Sequence, residues 1–92
     1  MLTLKPTTKF KKDYKRMKKR GCDISLLEDV IDDLLAEKVL DDKYKDHALV
    51  GNYIGFRECH ILPDWLLIYT IDDHQLVLTA VRTGTHSDLL DM

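Results

Sequence analysis

His47, Glu58, His60, Asp64, Arg82 and His86 are the residues of this chain best suited to chemistry. Histidine titrates near neutral pH, so two of them can serve as opposed general base and general acid. A carboxylate can orient an imidazole or raise its basicity, and the planar fork of an arginine can hold a phosphate. That inventory suits scission of an RNA strand. A base takes the 2′-hydroxyl proton, an acid protonates the leaving 5′-oxygen, and a cation stabilises the dianionic phosphorane. Imidazole and carboxylate are also zinc ligands, but the histidines form no HxH or HxxxH pair, so no metal and no cofactor are assigned.

The spacing within residues 55–71 shows what must hold these groups. Phe56, Glu58 and His60 share one parity and therefore one face of a strand, while Arg57, Cys59 and Ile61 share the other. Strands are expected over 53–62, 65–71 and 76–82, joined by turns at Pro63-Asp64 and at 72–75. His74 lies on the second turn and is given no role. Leu78 and Ala80 alternate with Val77, Thr79 and Val81, apolar on both faces, which marks a central strand. If these strands pair, their ends gather the histidines, the carboxylates and Arg82. Residues 41–51 show no periodicity and read as a loop anchored by Leu49.

The first half supplies the layer behind the sheet. Leu2-Thr-Leu4 is a short strand ended by Pro6. A helix follows over 9–20, capped by Thr7 or Thr8 and stopped by Gly21. Its buried stripe is Phe10, Tyr14 and Met17; Lys9, Lys11, Lys12, Lys15, Arg16, Lys18, Lys19 and Arg20 surround it. That run is either a solvated face or a rail for phosphates. A second helix starts at Asp23 or Ser25, where Ser25-Leu-Leu-Glu28 has capping-box spacing. Leu27, Val30, Ile31, Leu34 and Leu35 form its apolar stripe, continued by Val39 and Leu40, and its opposite face is acidic. The fold class is therefore α+β: a small, mainly antiparallel sheet with an N-terminal strand and two helices packed on one face.

Ninety-two residues make a single domain, 1–92. There is neither an apolar stretch of membrane length nor a signal-peptide core, so a cytoplasmic location off the membrane is expected. Cys22 and Cys59, in neither a CxxC nor a zinc-finger spacing, read as reduced thiols. The net charge of −2 hides a segregation: residues 1–20 hold nine Lys or Arg against one Asp, and 21–46 hold nine acids against three bases. Such a balance leaves nucleic acid open as a partner. No helix–turn–helix signature points to a transcription factor.

Four segments together resemble the RelE superfamily of bacterial toxins, and within it the YafQ branch. They are Tyr44-Lys-Asp-His47-x-Leu49, Gly55-Phe-Arg57 through His60, Pro63-Asp-Trp65-x-Leu-Ile-Tyr69 and Arg82-Thr-Gly-Thr-His86. The resemblance spans the chain and is densest after residue 44. It implies a RelE-like fold and a ribosome-dependent endoribonuclease of a type II toxin–antitoxin pair, cutting mRNA in the ribosomal A site without metal. His86 then resembles the principal general acid, and His47, His60 and Asp64 match supporting catalytic positions. Glu58 stands where the best-known branch member has aspartate. Arg82 and Lys45 are assigned to substrate binding. The implied partners are mRNA, the ribosome and a cognate antitoxin with an acidic and apolar segment, operator DNA being reached through that antitoxin. An aromatic expected after the last histidine is replaced by Leu89-Leu90. The rival reading is an inactive RelE-fold protein kept as an antitoxin-bound corepressor.

Overall fold

The computed structural model describes residues 1–90. In chain order the elements are β1 (Thr3–Pro6), α1 (Thr8–Lys19), α2 (Ile24–Leu35), β2 (His47–Ala48), β3 (Arg57–Leu62), β4 (Trp65–Asp72), β5 (Val77–Gly84) and α3 (His86–Leu90). Short 3-10 turns occupy Asp42–Tyr44 and Gly51–Tyr53. The strands form one sheet in the order β1-β5-β4-β3-β2, with β1 parallel to β5 and the other neighbours antiparallel. The architecture is α+β, as the patterning predicts.

Alternation along β4 divides the core. Leu67 and Tyr69, with Cys59, Ile61, Leu78 and Ala80, pack beneath Phe10 and Met17 of α1 and Leu27, Val30, Ile31 and Leu34 of α2. Leu66 and Ile68 face the other way and meet Leu89 of α3, with Leu49, Tyr53, Phe56 and Val81 around them. Five consecutive residues of β4, Trp65 to Tyr69, are thus buried; β4 is the middle strand, and β5, flanked by β1 and β4, is central in the sheet as its pattern predicts. Each fully buried Leu or Ile there contributes about 1.5–3 kcal/mol.

Both helix starts hold their chain by a side chain. Thr7 accepts from the Phe10 amide at 3.0 Å and donates its hydroxyl to the Val81 carbonyl at 2.7 Å, which pins α1 to β5. Gly21, at φ 82°, ends α1: its amide reaches the Lys18 carbonyl and the Cys22 amide reaches that of Met17. At α2 the cap is Asp23, which accepts both the amide and the hydroxyl of Ser25. The Ser25–Glu28 capping box therefore does not form, and Glu28 instead accepts the Tyr14 hydroxyl at 3.0 Å across the two helices.

Three further expectations are corrected. Val39 does not continue the α2 stripe; it is 98% exposed, because the helix ends at Ala36 and Glu37 turns left-handed at φ 61°. The stretch 41–51 is not all loop, since His47 and Ala48 add an edge strand to β3. On β5 the register slips, Ile68 facing Arg82 and Tyr69 facing Ala80, so that Val81 is an extra residue. This bulge inverts the alternation, and Thr83 becomes the residue buried toward the helices. Both cysteines are free, and burial pushes the Cys59 thiol up to about 12. Among the described residues, no helix is long and apolar enough to cross a membrane.

Candidate active site

The sheet brings three of the expected residues into one group. His47 on the edge strand lies opposite Glu58, and His60 follows two residues later on the same face of β3. Glu58 is 5% exposed, and one of its carboxylate oxygens stands 3.7 Å from His47 Nε2 and 3.5 Å from His60 Nε2. The His47 ring is fixed from behind: its Nδ1 is 2.6 Å from the Lys45 carbonyl. A carbonyl can only accept, so the proton of this hydrogen bond sits on Nδ1. In the neutral ring Nε2 is then the basic nitrogen, directed to Glu58. Lys45 achieves this by adopting the left-handed conformation, φ 49° and ψ 42°.

His86 and Asp64 complete the group from two other elements. Asp64, on the two-residue turn between β3 and β4, accepts from the His86 backbone amide at 3.0 Å and from His86 Nδ1 at 2.6 Å. Here too the acceptor places the proton on Nδ1 and leaves Nε2 for a substrate. The two hydrogen bonds from His86 hold the Asp64 carboxyl below its usual range. The His60 ring lies edge-on to His86, with centroids 5.7 Å apart, and 6.4 Å from His47. Three imidazoles and two carboxylates thus share one patch. No set of three or more His, Cys, Asp or Glu among the described residues is arranged to hold a metal ion.

A family described as the bacterial toxin of type II toxin–antitoxin system, YafQ, matches residues 2–91. The chain belongs to the YafQ toxin family. The mRNA interferase toxin YafQ of Escherichia coli (strain K12) is 40% identical over 81 residues, covering 87% of this chain and 86% of that protein. The metal-bound toxin from Helicobacter pylori superposes with a TM-score of 0.91 at 47% identity, covering 97% of this chain and 99% of that one. YafQ in the E. coli DinJ–YafQ complex gives 0.88 at 36% identity, covering 97% and 98%.

Arg82 does not stand free in this YafQ-family site. Its Nε and Nη2 bind the two oxygens of Asp13 at 2.6 and 3.1 Å, and Asp13 also accepts the Thr83 amide and Arg16 Nη2. Asp13, 4% exposed, breaks the expected all-basic surround of α1. Arg16 is likewise half-buried, and Arg20, although exposed, is paired. Arg20 forms a two-pronged pair with Asp88 at 2.6 and 3.1 Å, and Arg16 lies 3.8 Å from the same carboxylate. Apart from the paired Arg20, the exposed cations of this segment are Lys9, Lys11, Lys12, Lys15, Lys18 and Lys19.

Three positioning residues escaped the sequence reading. Asp46 clamps the His47 loop by accepting the Tyr69 hydroxyl and two Arg57 nitrogens. Thr85 and Asp88 cap α3 reciprocally, amide to side chain in both directions at 3.0 and 3.1 Å, and so seat His86 as its first helical residue. The Thr85-His-Ser-Asp88 spacing was the available signal. Gly84 is required beside them, since a Cβ there would stand 3.0 Å from Asp88. Trp65 is core, donating to Thr83 at 2.9 Å. The Leu90 side chain, part of the Leu89-Leu90 replacement, lies outside the described residues.

Proposed function

We propose that the protein is the toxin of a toxin–antitoxin pair and acts in the cytoplasm as an endoribonuclease on mRNA held in the ribosomal A site. The observation that carries the reading is the patch itself. His47, Glu58 and His60 converge from two strands, and His86, oriented by Asp64, joins them from a helix. Asp64 holds the Nδ1 proton of His86, so the protonated ring carries a second proton on Nε2 for the leaving oxygen, while His47 and His60, whose Nε2 atoms lie beside Glu58, are placed to take the 2′-hydroxyl proton. Glu58 and Asp64 orient the rings. Arg82 keeps Nη1 for a phosphate oxygen while Asp13 holds the rest of its fork, and Lys45 adds a second cation.

The reaction so written needs no metal and no cofactor. The curated relative named an mRNA interferase and the neighbour crystallised with DinJ support the activity class and an antitoxin partner. Operator DNA would be reached through that antitoxin. A corepressor without activity would have no use for three oriented imidazoles.

The test is induced expression of the wild type beside His86→Ala, with mRNA 5′ ends mapped in growing cells and in a purified translation system. Wild type should arrest growth and cut translated messages, and His86→Ala should fold normally and do neither. Cleavage in the purified system should survive EDTA once ribosome integrity is restored with magnesium. A well-folded His86→Ala protein that still arrests growth removes His86 from the chemistry. Cleavage that returns only with zinc replaces the acid–base mechanism by a metal one.

A further inference from the structure

A cleft of about 420 Å³ opens beside His60, between the start of α2 and the 3-10 turn that precedes β2. Its walls carry three kinds of group. Leu26, Ile61, Leu62 and Pro63 make an apolar side, and the half-buried Tyr44 adds an aromatic ring. Lys43 and Lys45 stand at the rim, the Lys43 ammonium 5.1 Å from the Tyr44 ring centre. The third kind is a single exposed carboxylate, Asp29.

We infer that this cleft is a nucleobase subsite of the proposed nuclease, holding the base of a nucleotide that flanks the scissile phosphate. The inference rests on the function proposed above. Each part of an unstacked nucleotide has a counterpart here. The flat base suits an aromatic and apolar slot, as single-stranded RNA is read by splaying bases onto such surfaces. Its phosphate suits the two lysines. The edge of the base meets Asp29, which can only accept hydrogen bonds. Adenine, cytosine and guanine present an exocyclic amine to such a group. Uracil presents one ring N–H between two carbonyl oxygens that a carboxylate repels. An apolar side chain from a protein partner would leave Asp29 without a purpose, and a phosphate alone would leave the apolar wall unused. His60 belongs both to the catalytic patch and to the cleft lining, so a base bound here is next to the reacting phosphate.

The cleft thus selects an amino-bearing base at one position beside the cut, with Asp29 and Tyr44 as specificity-determining residues. The experiment maps 5′ ends in a purified translation system for wild type, Asp29→Ala, Tyr44→Ala and, as a control on the same helix, Asp32→Ala. Asp29→Ala should lower cutting next to amino-bearing bases about tenfold and spare sites with uridine there, the size expected of one polar base contact. Tyr44→Ala should raise KM about tenfold at every site with little change in kcat, as loss of a stacking platform does. Asp32→Ala should match wild type. If wild type cuts but Asp29→Ala and Tyr44→Ala keep its site profile and KM, the subsite is wrong and the nuclease stands. If those variants instead lose only antitoxin binding, measured by calorimetry, the cleft belongs to the antitoxin and the inference is overturned. If wild type itself does not cut, the nuclease reading falls and the subsite with it.

Discussion

Lys45 takes the left-handed conformation and in doing so turns its carbonyl onto the His47 ring, while its side chain is exposed at the rim of the cleft. Backbone and charge can therefore be separated by mutation. Lys45→Gly keeps the conformation at no steric cost, whereas Lys45→Ala keeps the strain, a difference of about 1 kcal/mol. Both remove the cation. Lys45→Gly should melt above Lys45→Ala in calorimetry, and the two should lose the same substrate affinity. Equal melting temperatures would mean that the left-handed turn is not maintained. Glu58 and His60 were legible as one face from type and parity, because a strand places alternate residues on one face whatever its neighbours do; His47 read as loop, Asp64 as turn and His86 as the far end of a strand, so their grouping hung on the strands pairing. The engagement of Arg82 by Asp13 was not legible. Those two residues are 69 apart in sequence, and only the packing of α1 on β5 makes them meet.

Elements were legible in proportion to their length. α1 and α2, at 12 residues each, show three turns of periodicity, and β3 to β5 show alternation between recognisable turns. β2 has two residues and α3 has five, too few for either period to register. α3 owes its start to a side chain that is also tied to α1. Hydrogen bonds from Arg20, joined by those from Thr85, hold the Asp88 carboxyl well below its ordinary value of 3.8. A depressed carboxyl contributes stability above 3.8 that is withdrawn as pH falls through its lowered value. Asp88→Asn should therefore lower the melting temperature at neutral pH and flatten its decline in acid; an unchanged acid decline would assign it to other carboxylates. The remaining face of α1 is purely lysine. Neutralising Lys11, Lys12, Lys15 and Lys18 together should leave the fold intact, weaken ribosome binding and reduce its salt dependence. Identical binding at all salt concentrations would return that face to simple solvation.

At the scale of the molecule, β1 and β5 are parallel partners drawn from the two ends of the described chain, Thr3 beside Val77 and Pro6 beside Ala80. The last part of β5 and α3 also carry Arg82 and His86, and Thr7 at the head of α1 hydrogen-bonds back to Val81. Every such contact is long-range and is made only after the intervening loop has been closed. This topology has a consequence for biosynthesis. While residues 77–90 remain inside the exit tunnel, the sheet lacks its second strand and α1 lacks the surface it rests on. A nascent chain stalled at Leu90 should stay protease-sensitive and leave its messenger intact. The same chain carried clear of the tunnel on a long unstructured linker should become resistant and begin to cut. Protection of the stalled form would show that the hairpins fold without β5. Otherwise the fold is completed only after synthesis, and a nuclease of the kind proposed leaves its own messenger uncut until then.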